Sequence, residues 1–138
     1  MSVLVDTTVW SEALRRRVTR PASTTRELSA LIDEDRVVVI GAVRQELLSG
    51  LRTAEQFRSL RDRLRAFPDV HLDHVDYENA ASCFNECRAR GVQGANTDFL
   101  LCAAAIRRDW SIFTADGDFA HYRKVIGIKL HPVRRALA

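Results

Sequence analysis

Residues 2–10, Ser2-Val3-Leu4-Val5-Asp6-Thr7-Thr8-Val9-Trp10, begin with a short apolar run that stops at an acid. Similar apolar runs recur at residues 37–40, 70–72, 111–113 and 128–130, which makes five candidate strands. Runs rich in β-branched residues without polar alternation predict strands covered on both faces. The intervening segments read as helices over residues 8–17, 24–35, 43–49, 53–67, 77–90 and 97–109, with Gly50, Pro68 and Gly91 standing where three of them should stop. Thr97 is the expected N-cap of the last. The pattern predicts the α/β class: an α/β/α sandwich on a mainly parallel five-stranded sheet.

At roughly 100 to 200 residues per domain, 138 residues predict one domain spanning 1–138. Hydrophobic residues at 46% and charged residues at 28% exclude a disordered or fibrous chain. No apolar stretch approaches the roughly 18 residues of a spanning helix, and Asp6 interrupts the N-terminus before a signal-peptide core forms. A cytoplasmic protein without membrane contact is expected. Cys83, Cys87 and Cys102 lack metal or disulfide spacing and read as reduced thiols. The net charge is only +3, yet Lys124 and Lys129 are the only lysines, so nearly all basic side chains are arginines. Arginine binds phosphate through a planar fork, which suits a nucleic-acid substrate; a high-GC genome produces the same bias.

In parallel α/β sheets ligands bind outside the carboxyl ends of the strands. Asp6 stands there after the first run, and Asp116 follows the fourth after Thr114-Ala115, with Asp118 two residues on. Glu46 and Asp98 come from helices, each beside strongly apolar neighbours, and Asp98 falls in a first helical turn that favours negative charge. Four acids from four elements can thus converge on one edge of the sheet. Carboxylates at close range repel, so such a cluster calls for a cation, and all-oxygen donors select Mg²⁺ or Mn²⁺. A metal of that kind activates water and neutralises a phosphoryl group, so phosphodiester hydrolysis is the matching reaction. Taken singly, each acid also has a local reading: Asp6 as a cap for the first helix, Asp98 as a dipole charge, Asp116 in an Asx-turn and Glu46 as a solvated helix residue.

These residues resemble the PIN-domain nucleases, and within them the VapC-type toxin ribonucleases of toxin–antitoxin pairs. The likeness lies in four motifs in the family's order: Val3-Leu4-Val5-Asp6-Thr7-Thr8-Val9-Trp10, Glu46-Leu47-Leu48-Ser49-Gly50, Asp98 with the alanine-rich helix after it, and Ile112-Phe113-Thr114-Ala115-Asp116-Gly117-Asp118-Phe119. The resemblance implies that Asp6, Glu46, Asp98 and Asp116 form an acidic quartet binding Mg²⁺ or Mn²⁺. Thr7 and Thr114 are then polar neighbours that orient water or carboxylate, and Asp118 shares or replaces the role of Asp116. It implies RNA cleaved by metal-activated water to a 5′-phosphate and a 3′-hydroxyl. The implied partners are a VapB-type antitoxin whose C-terminal segment covers the acidic crevice and a second copy of the chain, giving a homodimer and, with antitoxin, a heterotetramer or larger assembly. Thr8, where the family often has serine, and Arg44, two residues before Glu46, depart from the pattern without removing a carboxylate.

Basic residues placed to guide RNA are Arg15, Arg16 and Arg17, with Arg58, Arg61 and Arg65 making one basic helix face; a solvated or antitoxin-binding face fits the latter equally. Arg44 is a phosphate contact, a partner for Glu46 or a solvent-facing side chain. Trp10, Phe57 and Trp110 can stack on bases but read better as core or interface residues. Phosphatases with an aspartate nucleophile need a second acid where Thr8 stands, and receiver domains need an acidic pair that is absent. His71-Leu72-Asp73-His74-Val75-Asp76 has poor spacing for zinc and reads as a strand end entering a helix, with Asp76 as its cap. His121 and His131 read as isolated polar residues. The competing non-enzymatic reading is a PIN-like scaffold that binds RNA or protein without cleaving.

Overall fold

A computed structural model describes residues 1–14 and 22–134. The first strand, β1 (Val3–Val5), is wholly buried, and because successive side chains point to opposite faces, both faces of the sheet are covered there. The same holds for β2 (Val37–Ile40). The remaining strands are short: β3 (Asp69–Val70), β4 (Ser111–Phe113) and β5 (Lys129–Leu130). All pairings are parallel, in the order β3-β2-β1-β4-β5. The chain builds outward from β1 on one side, then crosses back to add β4 and β5 on the other. The direction of winding therefore reverses between β1 and β4, the point at whose carboxyl ends open parallel α/β sheets leave a crevice for ligands.

Helices α1 (Thr7–Leu14), α2 (Ser23–Asp33), α3 (Gly41–Leu48), α4 (Ala54–Leu64), α5 (His74–Ala89), α6 (Asn96–Arg108) and α7 (Asp118–Arg123) make the connections. The α/β expectation holds, and the sheet is parallel throughout. The third strand lies one residue earlier than its apolar run, because Val39 and Ile40 pair with Asp69 and Val70. Helix α3 begins directly after β2, two residues before the apolar pattern marks it, since Gly41 already takes helical geometry. Helix α7 is not among the helices read from sequence: six residues are too few to show a periodicity.

Capping chemistry explains several boundaries. Thr53 caps α4 by accepting the Gln56 amide at 3.0 Å. Replacing Thr53 with alanine should cost about 1 kcal/mol in chemical denaturation, and an unchanged midpoint would mean that water satisfies that amide equally well. The expected cap Asp76 is instead the third residue of a capping box whose N-cap is Asp73. Thr97 does not cap α6: the extended residue before the helix is Ala95, and the helix starts at Asn96. Gly91 ends α5 with φ +77°, a conformation glycine adopts without strain.

The core gathers β1 and β2 with Leu28 and Leu31 of α2, the apolar face of α6 from Phe99 to Ala105, and Phe119 and Tyr122 of α7. Trp10 is buried there against Phe67, Trp110 lies half-buried under Arg108, and Phe57 is exposed. The three cysteines are free, Cys87 and Cys102 in the core and Cys83 half-buried. Two buried acids, Asp76, which the sequence marked only as a cap, and Glu27, which it did not mark, tie the periphery together. Asp76 receives both Arg108 nitrogens at 2.8 and 3.0 Å, and Glu27 of α2 receives His131 and Arg134 beyond β5. Burial pushes the Glu27 carboxyl up, but the bonds from Arg134 and His131 outweigh it and hold it below its ordinary value. His131 is thus an anchored residue, with its ring against Phe113. Among the described residues no helix is long and apolar enough to cross a membrane.

Candidate active site

Asp6 leaves the carboxyl end of β1 at the crevice between β1 and β4. Its amide donates to the Phe113 carbonyl at 2.9 Å, which extends the parallel ladder by one residue and fixes the backbone. The side chain is 5% exposed, and its Oδ2 accepts the hydroxyls of Thr8 and Thr114, each at 2.8 Å. A nearly buried carboxylate needs such donors, because an unpaired one costs kilocalories. Thr8 is the residue that sequence reasoning left out. Its hydroxyl also accepts the Ala115 amide at 3.0 Å, so it couples α1 to the loop after β4.

That loop places Asp116. The Asp116 amide donates to Thr114 Oγ1 at 3.0 Å, and Asp116 Oδ1 accepts the Asp118 amide at 2.9 Å. Asp116 is half-buried, whereas Asp118 is exposed at the start of α7. Asp98 sits in the first turn of α6, and Tyr122 of α7 donates its hydroxyl to Asp98 Oδ2 at 2.8 Å. Burial pushes the Asp98 carboxyl above its ordinary value, and the charges of Asp6 and Asp116 push the same way; only the Tyr122 and Ala95 bonds oppose them. Burial and the bond to Asp98 likewise raise the Tyr122 phenol, so it remains a donor. Three of the sequence-designated acids, Asp6, Asp98 and Asp116, therefore share one electrostatic neighbourhood.

Glu46 stands beside this group rather than inside it. It is exposed on α3, and its Oε2 accepts the Thr7 hydroxyl at 3.0 Å, so Thr7 serves Glu46 while Thr114 serves Asp6. A shallow depression lined by Thr7, Ala42, Gln45, Glu46, Ser49 and Thr97 joins it to the start of α6. Arg44 bonds not to Glu46 but to Asp69 Oδ1, through Nε at 3.1 Å and Nη2 at 2.9 Å, in a partly exposed pair that makes it a clasp on β3. Arg15, Arg16 and Arg17 lie outside the described residues. His71, Asp73, His74 and Asp76 form no shared site, as Asp73 and Asp76 are occupied by Arg107 and Arg108.

The carboxylates suit a hard divalent cation in kind, being oxygen donors only, with charges that already bear on one another. Among the described residues, no three His, Cys, Asp or Glu side chains form a ready-made set that could hold a metal ion. The donors are gathered on one sheet edge without being drawn together.

Acids stand at the winding reversal of a short parallel sheet in an α/β domain. The PIN domain profile matches residues 3–125, and the chain belongs to that family, whose members are nucleases. Among curated proteins, none matches this sequence. Several solved structures share the fold. VapBC2 from Rickettsia felis, bound to a DNA fragment from its promoter, aligns with TM-score 0.76 at 18% identity, covering 95% of this chain and 98% of that one. FitAcB from Neisseria gonorrhoeae gives 0.71 at 22% identity over 94% and 96%, and VapBC-1 from nontypeable Haemophilus influenzae gives 0.74 at 12% over 95% and 97%.

Proposed function

We propose that this chain is a divalent-metal-dependent ribonuclease and the toxin of a toxin–antitoxin pair. What supports this reading is that the charges of Asp6 and Asp116 bear on Asp98 at the carboxyl ends of β1 and β4, in a chain of a nuclease family. Asp6, Asp98 and Asp116, with Glu46 at the margin, would hold Mg²⁺ or Mn²⁺, which would lower the pKa of a bound water and offset charge on the phosphoryl group. The chain's own residues prepare that role. Thr8 and Thr114 occupy Asp6 Oδ2 and so fix its carboxylate plane, the Thr114–Asp116 and Asp116–Asp118 bonds shape the loop, and Thr7 restrains Glu46. Cleavage by water leaves a 5′-phosphate and a 3′-hydroxyl.

The antitoxin reading is supported by the solved relatives, which are toxin–antitoxin complexes. A groove of about 760 Å³ between α1, α3 and α4 is lined by four leucines, Leu14, Leu47, Leu51 and Leu60, among polar residues that include Arg63 and Glu46. An antitoxin segment lying in it would touch Glu46. A second copy of the chain completes the proposed assembly, in the cytoplasm.

The test is cleavage of total RNA by protein freed of copurifying antitoxin, with Mn²⁺, with EDTA, and with Asp98→Ala as the contamination control. Discrete products that require metal and vanish in the variant are expected. A folded, metal-binding protein that cuts no RNA under any of these conditions would leave a PIN-like binding scaffold as the better description.

A further inference from the structure

We propose that Tyr122 is a positioning residue for Asp98, and that residue 94 is glycine in order to admit its hydroxyl. The inference rests on the metal-nuclease reading above and adds a residue from a helix that carries none of the acids of the proposed quartet. The Tyr122 side chain is fully buried, with its ring 4.8 Å from Phe99 and 5.1 Å from Phe119, so the core holds it in one orientation. A phenylalanine would pack those rings equally well. The hydroxyl is what distinguishes this side chain, and it donates to Asp98 Oδ2 at 2.8 Å.

Gly94 supplies the second, independent observation. A Cβ on it would stand 2.2 Å from the Tyr122 hydroxyl oxygen and 2.6 Å from Cζ, well inside van der Waals contact. Its φ does not demand glycine, so the constraint is space alone. The loop before α6 has therefore given up a side chain at the point where the phenol passes to reach Asp98. A rigid donor on Oδ2, beside the bond from the Ala95 backbone, restrains the plane of the Asp98 carboxylate and so the direction in which its remaining lone pairs meet a ligand. Residues that orient the ligands of a metal act through such bonds, and their loss commonly costs tenfold or more in affinity or activity.

The experiment compares wild type, Tyr122→Phe and Gly94→Ala by Mn²⁺ titration calorimetry on RNA-free protein, by kcat and KM on an RNA substrate, and by thermal melting. Tyr122→Phe should weaken Mn²⁺ binding and lower kcat, each about tenfold, with KM little changed and a melting temperature close to wild type. Gly94→Ala keeps the hydroxyl but displaces it, and should move Mn²⁺ affinity in the same direction. Unchanged Mn²⁺ affinity and kcat in folded Tyr122→Phe would overturn the proposal and reduce the bond to a structural one. Wild-type protein that binds Mn²⁺ but cuts no RNA overturns only the nuclease reading, because the effect of Tyr122 is still read in the titration; wild type that takes up no Mn²⁺ overturns both.

Discussion

Asp6→Asn is expected to abolish measurable RNA cleavage, by roughly 10³-fold or more, while leaving the protein folded. Loss of one carboxylate from a metal-centred phosphoryl-transfer site removes several kilocalories of charge stabilisation, and about 4 kcal/mol corresponds to that factor. Asparagine is the informative replacement, because its carbonyl oxygen can still accept the Thr8 and Thr114 hydroxyls that now bond to Oδ2. Asp6→Ala would remove the shared acceptor of the two hydroxyls, which can then donate only to each other, and add about 1–3 kcal/mol of destabilisation, which confuses the two causes. Cleavage rates and urea midpoints measured on Asp6→Asn and Asp6→Ala separate them. An Asp6→Asn protein that keeps a tenth of wild-type activity would remove Asp6 from the proposed centre.

Asp76→Ala should be the most damaging substitution away from the crevice. Asp76 is fully buried and holds Arg108 through two bonds, Arg107 at 3.2 Å and the Asp73 amide at 3.0 Å. Removing one partner of a buried pair costs about 3–5 kcal/mol, enough to lower the melting temperature by roughly 10 °C or more in a chain of this size. Replacing both partners, as Asp76→Leu with Arg108→Met, should cost less, because no charge is left stranded. The pair also sets an acid limit. The bonds from Arg108 hold the Asp76 carboxyl at about 2, against an ordinary 3.8. A group with a depressed folded-state pKa contributes its stability above the unfolded value and loses it as pH falls through the folded one. The melting temperature should therefore decline between about pH 4 and pH 2 partly on account of Asp76, and the double variant should show a shallower decline. Identical slopes would show that other carboxylates govern acid unfolding.

The fold was legible where the sequence repeats a physical pattern. Buried parallel strands must be apolar on both faces, so Val3-Leu4-Val5 and Val37 to Ile40 stand out, and polar residues at their carboxyl ends mark the crevice. Asp6 and Asp116 were found by that rule, and Asp98 by its place at the start of an alanine-rich helix. Tyr122 was not legible, because the spacing of Phe119 and Tyr122 on a six-residue helix reads as core, and its partner lies 24 residues away. Thr8 escaped for a related reason: a threonine after Asp-Thr looks like helix initiation, and only the return of β4 beside β1 brings Thr114 and Ala115 to it. The Asp69 partner of Arg44 was not legible, because Asp69 becomes its neighbour only through the β2–β3 pairing. Glu27 and Asp76 carry no local sign of burial, since their arginine and histidine partners lie more than thirty positions away.

The lengths of β3 and β5 bear on how this protein meets others. Both outer strands of the sheet are two residues long, so each offers almost no unpaired backbone along which a foreign strand could zip. The end of β5 is further pinned by His131 and Arg134 on Glu27, and the start of β3 by Arg44 on Asp69. Growth of the sheet by edge addition is thereby blocked on both sides, which guards a parallel, slowly formed architecture against aggregation. Partners are left to dock through helices and the grooves between them.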